Sequence, residues 1–411
     1  METHLAEWIK GTHDGTEAES ILRACVHCGF CNATCPTYQL LGDELDGPRG
    51  RIYQIKQMLE GHEAGASTRR HLDRCLTCMN CETTCPSGVQ YGRLVDIGRA
   101  VIEQRAPRPA AQRMQRHLLR FTLTHRWLFD PAVRVGRALR AVLPAGLRSK
   151  LPPLRTSGAM PRRTHARKVL LLNGCVQPAL MPAIDAATAR VLDALDIETI
   201  VAARSGCCGA VDYHMAAQDA AKEAARRNID AWWPHLENGA EAIVTNASGC
   251  GAMLKDYARL LADDPAYAQK ARRASELSRD IGEFLAPFAS RLVARMGQSP
   301  DGAPTRIAFH PPCTLQHTQK LRGVTESLLA ALGVELVPVA DAHLCCGAAG
   351  TYALLQPELS ARLRANKLDN LQRGRPQLIL SANIGCLAHL EAATAIPVRH
   401  WIEWLDTWLQ R

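Results

Sequence analysis

Two cysteine runs of identical spacing shape the N-terminal part of this chain: Cys25, Cys28, Cys31 and Cys35 followed by Pro36, and Cys75, Cys78, Cys81 and Cys85 followed by Pro86. Two residues between cysteines let a short turn present three thiols to one side, while the fourth, opening the next segment, points away. Structural zinc sites draw their ligands as two separated pairs, so a doubled Cys-x2-Cys-x2-Cys-x3-Cys-Pro run points to two [4Fe-4S] clusters.

In bacterial two-cluster ferredoxins the fourth cysteine of each run ligates the other cluster. On that pattern Cys25, Cys28, Cys31 and Cys85 are the candidate ligands of one centre, and Cys75, Cys78, Cys81 and Cys35 those of the other. Between the runs, Gly47-Pro48 precedes a helical pattern at Ile52, Ile55, Met58 and Leu59, which predicts a helical ferredoxin domain. Arg49 and Arg51 either steady cluster charge or pair with Asp43, Glu44 or Asp46. His27 and Asn32, inside the first cysteine loop, either tune a cluster through hydrogen bonds or are exposed polar groups.

The remaining eight cysteines form two sets, Cys175, Cys207, Cys208, Cys250 and Cys313, Cys345, Cys346, Cys386. The first cysteine precedes the pair by 32 residues in both sets, and the last follows it by 42 and 40, which marks a duplicated module. Apolar, branched runs before each group (KVLLLN, ETIVAA, EAIVTN, then RIAFH, VELVPV, QLILSA) read as short buried strands, with helical patterns between them. Alternating strand and helix implies parallel sheets, so the cysteine groups of each copy emerge at one carboxyl edge as a candidate redox or metal site. Glycine after each vicinal pair, at Gly209 and Gly347, permits close backbone approach. His310, Asp212, His214 and His343 lie beside these cysteines as candidates for proton relay or metal ligation. Trp232 and Trp233 read as packing residues.

A 47% hydrophobic and 22% charged composition fits a packed multidomain protein, and sixteen cysteines in a reducing compartment imply metal or redox work rather than disulfides. No stretch is apolar for long enough to span a membrane, and the N-terminus has no apolar leader, so a cytoplasmic chain is expected. The net charge of +9 is concentrated: residues 105–168 hold sixteen Lys or Arg against Asp130 alone, +15, leaving −6 for the rest. Nucleic acid is therefore not the expected partner. That segment reads as a basic amphipathic helix broken by prolines, suited to an anionic membrane surface or to a partner subunit. The resulting division is 1–104, a two-cluster helical ferredoxin domain; 105–166, a basic helical linker; 167–304, the first α/β cysteine module; and 305–411, the second, each module with a short parallel sheet.

The stretches ILRACVHCGFCNATCPTYQLLGDELDGPRGRIY, HLDRCLTCMNCETTCPSGV, GCCGAVDYH and HLCCGAAGTYAL resemble the iron-sulfur subunits of respiratory flavoenzyme complexes, and most of all the family of glycolate oxidase iron-sulfur subunits. The likeness implies two CCG domains behind the ferredoxin domain and flavin-bearing partner subunits that oxidise glycolate. It further implies electron flow through this chain toward a quinone or another respiratory acceptor at the inner face of the cytoplasmic membrane. The chain would be a non-flavin oxidoreductase subunit, not catalytic alone. No Gly-x-Gly-x-x-Gly fingerprint follows a strand, so neither FAD nor NAD is expected on it. In heterodisulfide reductases the module ends in Cys-x2-Cys, whereas Met253 and His389 stand at that place here. The second copy, with His389, keeps more candidate ligands for an additional cluster than the first. Two alternatives stay open: thiol-disulfide catalysis at the CCG modules, and the same electron transfer serving lactate or glycerol 3-phosphate.

Overall fold

The computed structural model describes residues 1–144, 148, 151–296 and 306–409. The expected module boundary at 304 and 305 and part of the basic segment lie outside the described residues. The chain forms two compact units. One comprises Met1–Leu119, Tyr213–Ala217 and His343–Lys367; the other comprises Arg120–Asp212, Gln218–Ala342 and Leu368–Arg411.

The first unit is helical. Helices His13–Ala24, Pro48–Leu59 and Tyr91–Arg105 pack on one another through Leu22, Ile55, Met58, Leu59, Leu94 and Ile102, all buried. Pro48 takes the first helical position, where its missing N–H costs nothing, and this is why Gly47-Pro48 starts a helix.

The second unit holds two four-stranded parallel sheets. The first sheet has the order β2-β1-β3-β4, with β1 Arg167–Leu171, β2 Ile197–Ile200, β3 Ile243–Thr245 and β4 Ser278–Asp280. The second repeats that order as β6-β5-β7-β8, with β5 Arg306–His310, β6 Glu335–Leu336, β7 Leu378–Ser381 and β8 Val398–His400. Six strands fall in the apolar runs; β4 and β8 do not, because three-residue edge strands reading Ser-Arg-Asp and Val-Arg-His carry no apolar signature. Helices Ala183–Asp193 and Trp401–Leu409 pack together, tied by Arg190, whose Nε and Nη2 donate to the Asp406 carboxylate at 2.6–3.1 Å.

The basic segment forms helices Ala110–Thr124 and Arg126–Ala138. The break falls at His125, in extended backbone, while Pro131 is carried inside the second helix. The helices are thus separated by a backbone turn rather than by a proline.

Asp280 ends β4 and caps the helix Ile281–Leu285, accepting a hydrogen bond from the Gly282 N–H at 2.9 Å. Burial pushes its carboxyl up to about 7. A carboxyl whose folded pKa exceeds its unfolded 3.8 contributes its full stability below that unfolded value and loses it as pH rises through about 7. Asp280→Asn, which keeps the cap, is expected to flatten this slope and to stabilise the protein by at most about 4 kcal/mol at pH 8. Urea unfolding of both proteins at pH 5 and pH 8 checks this.

Candidate iron-sulfur sites

Each cysteine run closes its turn in the same way. The second and fourth residues after the first cysteine have positive φ in both runs: His27 (59°) and Gly29 (87°), then Thr77 (53°) and Met79 (59°). Only one of the four is glycine, and left-handed backbone at the other three costs energy that is retained where function requires it. Such turns direct successive backbone N–H groups to one side, forming a concavity that favours anions. A short helix follows each turn, Phe30–Ala33 and Asn80–Thr84, carrying the third cysteine. Cys35 and Cys85 then take extended backbone (ψ 117° and 116°), which turns the fourth thiol away. The two short helices pack against each other, with the Thr34 and Thr84 hydroxyls 3.0 Å apart and Asn80 Nδ2 donating to Thr34 O at 2.9 Å.

Cys25, Cys28, Cys31 and Cys85 line one pocket, together with His27, Arg49, Cys81, Pro86 and Tyr91. Burial, and then Cys25, Cys85 and Cys28, pushes the Cys31 thiol up to about 11. The Cys81 thiol is raised well above its ordinary range by burial and then by Cys78, Cys75 and Cys35. The field around each third cysteine thus comes from thiols of both runs. Soft donors gathered in this way suit iron-sulfur clusters.

The second set has further polar neighbours. Tyr91 Oη donates to Cys75 Sγ at 3.5 Å, the Thr37 hydroxyl lies 3.2 Å from Cys35 Sγ, and the Thr77 N–H donates to Cys75 Sγ at 3.4 Å. Burial acts to raise the Cys75 thiol, yet Arg51, Arg99 and the Tyr91 hydroxyl together bring it below its ordinary value. Tyr352, in the His343–Lys367 segment, is pushed up by burial and then by Cys75. Arg99, Tyr91, Thr37 and Tyr352 escape a reading of the sequence, since no motif marks them. The Thr34/Thr84 pair had a signal, a threonine before the fourth cysteine of both runs.

Several candidates beside the thiols prove to be anchors. Asn32 is buried and donates from Nδ2 to Glu44 at 2.8 Å. Arg49 grips the same carboxylate at 2.6 and 3.0 Å. His27 lines the pocket edge-on to Tyr53, its pKa lowered by burial and then by Arg49. His214 pairs with Asp96 at 3.2 Å, and Asp212 lies 3.4 Å from Arg120. Trp232 is buried against Tyr257.

In the first cysteine module Cys175 follows β1, Cys207 and Cys208 follow β2, and Cys250 rides on the helix Ser248–Lys255 after β3. Cys175 is raised by its neighbour Cys207 and by burial; Cys207 is lowered by Cys175 but raised more by Cys208 and burial, and Cys208 is lowered by Cys207 but raised more by Cys250 and burial. In the second copy Cys313 follows β5 and the buried Cys386 sits on the helix Ile384–Glu391 beside the buried His389. His310, at the end of β5, and Cys386 bring ligand atoms within 4.8 Å of each other. Asn383 Nδ2 donates to Cys386 Sγ at 3.6 Å.

The two vicinal turns are alike. The Gly209 N–H donates to Cys207 Sγ at 3.5 Å, and the Gly347 N–H to Cys345 Sγ at 3.4 Å. Both glycines are left-handed, with φ 91° and 89°, and a Cβ on Gly347 would fall 2.7 Å from Ser360 O. Gly347→Ala is therefore expected to cost about 2 kcal/mol or more, read as a lower denaturation midpoint. Gly209→Ala, with its nearest backbone atom at 3.1 Å, should cost less.

Residues 21–89 match the 4Fe-4S dicluster domain, and residues 169–255 and 307–391 each match the CCG cysteine-rich domain. The glycolate oxidase iron-sulfur subunit of Escherichia coli is 54% identical over 413 residues, covering all of both chains. The chain belongs to the glycolate oxidase iron-sulfur subunit family. Within that family the probable glycolate oxidase iron-sulfur subunit of Bacillus subtilis is 31% identical over 91% of this chain and 89% of its own. Beyond it, lactate utilization protein A of Geobacillus thermodenitrificans is 28% identical over 54% of this chain and 90% of its own. The family confirms the fold expected from sequence, a ferredoxin domain followed by duplicated α/β modules, and an iron-sulfur cofactor.

Proposed function

We propose that this chain is the electron-transfer subunit of a glycolate-oxidising complex, accepting electrons from a flavin on a partner subunit and passing them toward a quinone or another respiratory acceptor. The observation that supports the reading is that Cys25, Cys28, Cys31 and Cys85 line one pocket while Cys78, Cys75 and Cys35 act together on Cys81. Cys25, Cys28, Cys31 and Cys85 would hold one [4Fe-4S] cluster, and Cys35, Cys75, Cys78 and Cys81 the other. When bound, each cluster supplies a one-electron donor and acceptor. Cys28 is exposed, and Val26 and Phe30 beside it are 68% and 62% exposed, an apolar edge on which a flavin-bearing subunit can seat. Arginine-rich helices Ala110–Thr124 and Arg126–Ala138 expose Met114, Leu118 and Trp127, which supports peripheral contact with an anionic membrane surface. No described helix is long and apolar enough to cross a membrane. Cys175, Cys207, Cys208 and Cys250, placed after three neighbouring strands of one sheet, support a further redox or metal site in the first module, as do His310 and Cys386 in the second.

A second reading keeps the electron transfer and changes the substrate to lactate; the lactate utilization relatives favour it over half the chain. Reconstitution decides between these. The isolated chain should take up about eight iron atoms and turn over no glycolate. Co-purified with its flavin subunits, it should be reduced by glycolate faster than by lactate. Zinc in place of iron would sink the electron-transfer reading, and faster reduction by lactate would replace the substrate.

A further inference from the structure

The two thiol sets share a motif and a backbone but differ in burial and in the cations beside them. Cys35, Cys75, Cys78 and Cys81 are all buried, whereas Cys28 of the other set is exposed. Adding an electron to a buried anionic centre is opposed by burial, because low dielectric penalises each further negative charge. The surroundings of this set supply what offsets that penalty.

Arg51 is 1% exposed. Its Nη1 donates at 3.2 Å to the Thr37 hydroxyl, itself 3.2 Å from Cys35 Sγ, and its Nε donates to His71 O at 2.7 Å. Arg99 approaches Cys75 through the backbone: its Nη2 donates to Cys75 O at 2.7 Å and its Nη1 to the Thr77 hydroxyl at 2.8 Å. The carboxylates nearby do not cancel these cations. Asp46 is shared by Arg51 and Arg74, and Asp96 lies 3.8 Å from Arg99 but 3.2 Å from His214. Glu82 adds a third carboxylate, on the Cys81 side, whereas Arg51 and Arg99 act on Cys75. At the other set Arg49 is spent on the bidentate grip of Glu44 and is partly exposed, so its charge is locally neutralised and screened, and the remaining cation is the Met1 ammonium, which donates to Cys25 O at 2.8 Å.

We propose that Arg51 and Arg99, flanking Cys75, are the residues that keep the buried centre of Cys35, Cys75, Cys78 and Cys81 reducible. The inference rests on the iron-sulfur reading above. Both arginines act through charge and position, touching no substrate. Burying an arginine is a poor way to gain stability, since the desolvation cost offsets the ion pair. A charge held beside a redox centre has a use that a stabilising pair lacks.

The test uses the full reconstituted chain, with iron content, circular dichroism and an EPR-monitored redox titration. Arg99→Gln and Arg51→Gln are each expected to shift the reduction equilibrium of one centre at least about tenfold toward the oxidised state, 59 mV for a one-electron couple. The other centre, identified by the signal that Cys28→Ser alters, should hardly move. Arg99→Lys should leave only a small part of that shift, because it keeps the charge without the fork of donors. Full iron content with neither potential changed would overturn the proposal, as would equal shifts in both centres. Should Arg51→Gln fail to load, Arg99→Gln, at a site less buried, decides the matter alone. A wild-type chain that takes up no iron would instead refute the iron-sulfur reading.

Discussion

Cys85→Ser is expected to remove the cluster of the first cysteine run and to spare that of the second, although Cys85 belongs to the second run by sequence. The reason is placement. Cys85 takes extended backbone after the helix Asn80–Thr84 and lines the pocket of Cys25, Cys28 and Cys31. Its charge is among those that raise Cys31, whereas Cys35 is among those that raise Cys81. Iron should fall from about eight to about four atoms per chain, since a serine hydroxyl is a hard and weakly acidic substitute for a thiolate. Cys35→Ser should give the same iron content with the opposite EPR signal lost. If Cys85→Ser and Cys81→Ser abolish the same signal, each run ligates its own cluster and the crossed assignment is wrong.

How far the chain could be read before its structure depended on whether a residue's work is local. The six apolar strands and the helix after Pro48 are local consequences of burial and backbone geometry, and they stand where the sequence puts them. The fourth strand of each sheet is not, because Ser278–Asp280 and Val398–His400 are held by pairing to β3 and β7 rather than by their own composition. The cysteine turns show the same divide. Gly29 announces a left-handed position, but His27, Thr77 and Met79 adopt one under the demand of the turn, and no side chain advertises that. Arg49 and Arg51 look interchangeable in sequence, two residues apart at the start of one helix. A rotation of about 200° between them sends one to a surface carboxylate and the other into the interior. The cysteine modules are legible as a repeat by spacing alone. Their ligand sets are not: His310, at the end of β5, comes within 4.8 Å of Cys386, and no spacing rule pairs that histidine with that cysteine.

That difference between the two arginines gives the largest expected effect on stability. Asp46 is fully buried and accepts from Arg74 Nη1 at 2.8 Å and from Arg51 Nη2 at 3.4 Å, with His71 Nδ1 3.0 Å away. Asp46→Ala leaves the Arg51 guanidinium buried without its carboxylate. Removing one partner of such a pair costs about 3–5 kcal/mol, because the remaining charge keeps its desolvation penalty. Glu44→Ala strips Arg49 of a closer and geometrically better ion pair, yet water takes over, so the cost should be about 1 kcal/mol or less. Chemical denaturation of the iron-loaded proteins should therefore rank the shorter salt bridge as the weaker contributor. The fraction of Asp46→Ala that still loads iron carries a second signature: with Arg51 uncompensated, its buried centre should become easier to reduce, opposite in sign to Arg51→Gln. Equal destabilisation by the two carboxylate variants would show that Arg51 is hydrated in solution, and the field assigned to it at Cys75 would then be too weak to matter.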